Sequence, residues 1–155
     1  MNITTLLSSL VSGVVIAVIS ARITVHFALK RFYSEKWWER KMEAYTSIIE
    51  ALHHVRNHAD TNLEFSMRGR DLPGEGDKML TEKLQAAMEE LRKRIDVGSF
   101  VIAEDAVFAL GTLMKGLDRS TNTNDWIEHL DLKLAAVNEC LDSMRRIAKA
   151  DLQLK

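Results

Sequence analysis

The chain has 155 residues, a formal net charge of −1, seven glycines, one proline and one cysteine, Cys140. So few turn-forming residues argue against a strand-and-turn fold, and a lone cysteine excludes an intrachain disulfide. Near-neutral charge also excludes a strongly basic nucleic-acid-binding face, so no nucleic-acid partner is expected. The charge is nonetheless unevenly placed. Residues 1–21 carry no charged side chain, residues 22–41 hold six basic against two acidic residues, and residues 42–155 hold 15 basic against 20 acidic.

The first predicted element is a transmembrane helix, assigned to residues 1–29. Its uncharged core, MNITTLLSSLVSGVVIAVISA, would be about 31 Å long as a helix at ~1.5 Å per residue, close to the ~30 Å apolar thickness of a bilayer. A cleaved signal peptide would begin with a basic region, which is absent here, although Val18 and Ser20 make a passable cleavage site. A buried helix of a soluble domain would need surroundings that the rest of the chain does not supply. Thr5, Ser9, Gly13, Ala17 and Ala21 recur every fourth position. This small stripe allows close approach of another helix, opposite a bulky face of leucines and valines. Basic residues follow the apolar run directly, so the C-terminal side is expected in the cytoplasm and the N-terminus outside.

Residues 30–65 are predicted to form a basic neck that runs without a breaker into the first bundle helix. Arg22, Lys30, Arg31, Tyr33, Trp37 and Trp38 suit the membrane interface, where cations reach headgroups and amphipathic rings settle. Trp38, Met42, Tyr45, Ile49 and Leu52 then step by four and three, as on one helical face. The run Trp38-Glu-Arg-Lys41-Met-Glu-Ala44-Tyr45 resembles a W-x-x-K-x-x-A-Y juxtamembrane segment of small uncharacterised bacterial single-pass membrane proteins. The resemblance covers roughly residues 32–52. It implies an inner-membrane protein with a helical cytosolic region and brings no activity.

Residues 66–77, with Pro73 and three glycines, are predicted as a loop, with Asp77 able to cap the next helix. Residues 78–155 then supply three more helices. The second carries Leu80, Leu84, Met88, Leu91 and Ile95 and ends near Gly98; the third carries Val107, Leu110, Leu113, Met114 and Leu117. Thr123 or Asn124 can cap the fourth, with Asp125 and Glu128 in its first turn. Its seam of Ile127, Leu130, Leu134, Val137, Leu141 and Met144 keeps heptad spacing and suits either a bundle core or a coiled coil between chains. The expected fold is all-α: an N-terminal transmembrane helix continuing into a cytosolic antiparallel four-helix bundle.

No catalytic residue is assigned. His54 and His58 lie four apart with Glu50 one turn before, a spacing that could grip zinc given a third ligand, but HHVRNH lacks the HExxH order. No phosphate loop or nucleophile elbow is present, so no enzyme activity, cofactor or metal is expected. The sequence reads as a membrane-anchored, self-associating docking or oligomerisation module. Its partners would be the lipid bilayer, further copies of itself and a possible second protein. The alternative is a membrane-disrupting effector of a toxin or phage-defence system, with Ser8, Ser9, Ser12 and Ser20 lining the assembly.

Overall fold

A computed structural model describes residues 3–70, 72–98, 100–120 and 125–153, the side chains of residues 3–16 and 119–120 excepted. Four helices account for nearly all of it: α1 (Ile3–Met67), α2 (Gly74–Gly98), α3 (Glu104–Ser120) and α4 (Trp126–Asp151). The chain divides into two compact units, Met1–Glu39 and Arg40–Lys155.

In the second unit all four helices contribute to one core. Tyr45, Ile48, Leu52 and Val55 of α1 are fully buried, with Leu91 of α2, Leu110 of α3 and Leu130, Val137, Leu141 and Met144 of α4. Each large apolar side chain so buried stabilises the fold by roughly 1.5–3 kcal/mol relative to exposure. The register is antiparallel. Lys41 and Tyr45 at the start of α1's bundle portion bond Asp151 at the end of α4, and Ser47 bonds Glu90 late in α2. Cys140 lies against Ala109, and a Cβ on Gly116 would stand 3.5 Å from that of Ala136, so α3 and α4 also run oppositely.

The helix ends have local causes. Gly69 adopts a left-handed φ of 62°. This lets Gly69 donate to Ser66 and Arg70 donate to Phe65, closing α1. The expected 66–77 loop is shorter in the structure: α2 starts at Gly74, and Asp77 sits in its first turn instead of capping it. Its backbone N–H already bonds Pro73 O at 3.0 Å. At α4 the cap is Asp125, whose side chain accepts from Ile127 N at 2.9 Å. The predicted caps Thr123 and Asn124 lie outside the described residues, and Glu128 occupies the first turn as expected.

The core face of α1 is also set differently from the predicted one. Buried positions advance as Tyr45, Ile48, Leu52, Val55 and Ala59, while Met42 and Ile49 are only half-buried and Trp38 is 43 % exposed.

Candidate functional site

The first unit presents an unusual surface. From residue 17 to residue 40 every side chain is exposed, including the large apolar groups Val18, Ile19, Ile23, Val25, Phe27, Leu29 and Phe32. Of the predicted interface residues, Arg22, Lys30, Arg31, Tyr33, Trp37 and Trp38 are all exposed on this stretch. Within it Arg31 pairs with Glu35 at 2.8 Å and Lys36 with Glu39 at 2.6 Å. Thr24 donates its hydroxyl back to Ser20 O at 2.8 Å.

Of the predicted membrane-contact stripe, Ala17 and Ala21 are exposed; the side chains of Thr5, Ser9 and Gly13 lie outside the described residues. Among the described residues no helix is long and apolar enough to cross a membrane. The expected transmembrane assignment of residues 1–29 is therefore not met among them, and the side chains of residues 3–16 lie outside the described ones.

In the second unit the most tightly connected polar group is a clamp that local patterning does not reveal. Asp151 accepts from Lys41 Nζ at 2.6 Å through one carboxylate oxygen and from Tyr45 Oη at 2.8 Å through the other. Tyr45 Oη in turn accepts from the backbone N–H of Ala103 at 3.1 Å. One side-chain cluster thus ties α1, α4 and the α2–α3 link. Burial pushes the Tyr45 hydroxyl up to about 12, and the neighbouring Asp151 carboxylate reinforces this against the pull of the Ala103 bond. Burial alone would raise Asp151, but bonds from Lys41 and Tyr45 and the lysine charge hold it below the ordinary carboxylate value. The pieces are 106 and 110 residues apart in sequence, and no spacing rule connects them.

The α4 seam packs inside this chain. Leu130, Val137, Leu141 and Met144 are buried and Leu134 half-buried, while Ile127 at the end is 41 % exposed. Of the two packings its spacing allowed, the seam takes the bundle core.

His54 and Glu50 are exposed and His58 is half-buried. Among the described residues no three His, Cys, Asp or Glu side chains group as a metal site would require. His58 Nδ1 is enclosed with no hydrogen-bond partner among them. Burial lowers its pKa, the Lys133 charge lowers it further and Asp77 opposes them. Cys140 is buried, and burial raises its thiol to about 11, which suppresses the thiolate that nucleophilic or metal chemistry would need.

No protein-family model, no characterised protein and no solved structure matches this chain.

Proposed function

We propose that this chain is a non-enzymatic, single-pass membrane protein whose Arg40–Lys155 bundle serves as a cytosolic docking and oligomerisation module. In this reading residues 1–21 lie in the bilayer, the small stripe from Thr5 to Ala21 meets a second copy, and the neck rests at the cytoplasmic interface. One observation carries it. Seven large apolar side chains between Val18 and Phe32, followed by Tyr33, Trp37 and Trp38, are exposed together on one helical stretch. Exposed apolar side chains in that number suit a membrane or protein contact. The flanking cations and aromatic rings favour lipid, since each basic residue near an anionic leaflet contributes ~1 kcal/mol.

The test is fractionation and crosslinking of the full-length protein. It should pellet with membranes, resist alkaline extraction and require detergent for release. Gly13→Ile with Ala17→Ile should reduce crosslinked dimer while leaving membrane retention intact. An uncleaved protein that stays soluble without detergent as single copies would overturn the reading.

A further inference from the structure

A groove of about 950 Å³ runs along the outer side of α3 and α4. Its floor is made of small side chains, Ala109, Thr112, Gly116, Ala136, Cys140 and Ser143, and Phe108 stands at its edge 77 % exposed. Five charged residues line it, of which Asp151 is half-buried and held by Lys41, and the other four are free of that clamp. Asp105 and Lys115 lie on the α3 side and Glu139 and Arg146 on the α4 side, all exposed.

The antiparallel register fixed by Cys140 against Ala109 and Gly116 against Ala136 sorts these charges by height. Asp105 and Arg146 fall toward the end where Lys41 begins the bundle; Lys115 and Glu139 fall toward the opposite end. The four exposed charges therefore set one acid and one base on each helix and at each end, Asp151 being already paired with Lys41. Such a pattern is complementary to itself under two-fold rotation, the symmetry of an isologous dimer.

We propose that this groove is the contact between heads, and that its occupant is the same groove of a second copy. The inference rests on the membrane-anchored reading, because that reading selects the axis. Two copies held by one bilayer both enter their bundles at the Lys41 end, and a two-fold axis along the helices keeps those ends side by side. That axis sets α3 of each copy against α4 of the other at equal height. Asp105 then faces Arg146 of the second copy, Lys115 faces its Glu139, and Phe108 enters the small-residue floor near Cys140 and Ser143. An axis across the helices would instead pair Glu139 with Arg146 and reverse one copy end for end.

Charge reversal in the full-length protein in mild detergent distinguishes these arrangements, with the dimer dissociation constant as the readout and circular dichroism checking that the exposed substitutions leave the bundle folded. Glu139→Lys alone should weaken the dimer by about tenfold or more, as like charges meet. Adding Lys115→Glu should restore most of that loss, and adding Arg146→Glu should not. Rescue by Arg146→Glu would overturn the same-end arrangement, and rescue by neither would overturn the groove as the contact. Alkaline extraction of the same variants tests the anchor separately. A protein that leaves the membrane yet shows the Lys115 rescue would sink the anchored reading and keep the interface.

Discussion

Asp151 shows how much of this bundle depends on a single carboxylate. It and Lys41 are each under a quarter exposed at the side chain, so their bond is partly desolvated and worth more than a surface pair. Asp151→Ala should cost on the order of 2 kcal/mol, because it strips both the Lys41 ammonium and the Tyr45 hydroxyl of their acceptor. Tyr45→Phe should cost about 1 kcal/mol, since the Ala103 N–H loses its acceptor as well. Denaturant unfolding of the full-length protein checks both. A Lys41/Asp151 double-mutant cycle should show coupling; additive losses would mean the two residues act independently.

His58 supplies a pH dependence. Its folded-state pKa lies below its ordinary 6.5, so above that value both folded and unfolded chains hold it neutral. As pH falls through 6.5 the unfolded chain takes up the proton first, and stability declines until the folded-state pKa is passed. Unfolding midpoints measured from pH 8 to 5 should therefore drop in the acid half. His58→Leu should flatten the profile there.

At the scale of the elements, two glycines separate close packing from helix propensity. A Cβ on Gly98 would stand 3.0 Å from Cδ1 and 3.2 Å from Cγ1 of Ile102. Ile102 is itself buried and has little room to yield. The backbone at Gly98 also accepts from both Val101 and Ile102 as the chain turns out of α2. Gly98→Ala should therefore lower the melting temperature, at a cost of about 1 kcal/mol. Gly111, inside α3, has nothing within 4 Å of its Cβ position. Gly111→Ala should raise the melting temperature by a gain of up to about 1 kcal/mol, as a helix interior prefers alanine.

The helices were largely legible in the sequence, and the reason is visible in α4. A helix that buries one stripe repeats its apolar residues at three and four, and Leu130, Leu134, Val137, Leu141 and Met144 do so without interruption. The face of α1 was harder to read because its apolar residues begin far upstream of the core. The pattern through Trp38 and Met42 cannot show which turn is the first to be covered, so Ile49 was expected where Ile48 is buried. The Asp151 clamp was illegible because chain reversal through three connections, not local spacing, brings its members together.

For the whole molecule, the division at residue 39 has a measurable meaning. Among the described residues every buried apolar side chain lies between Ala44 and Leu152, and the clamp needs nothing before Lys41. A chain beginning at Arg40 should therefore fold by itself and unfold cooperatively near the midpoint of the intact protein. Calorimetry of the two checks this; loss of cooperativity in the shorter chain would show that the preceding helix stabilises the bundle. Its α1 also retains Ser47, which donates to Glu90 at 2.9 Å, and Glu90 is held by Arg94 at 2.7 Å.

The clamp also governs where a passenger can be attached. A fluorescent reporter fused behind the last helix would emerge beside Lys41 and Tyr45 and would crowd that end of the bundle. The hairpin between α1 and α2 opens at the far pole of the bundle, so a tag inserted near Gly69 would leave that region unobstructed.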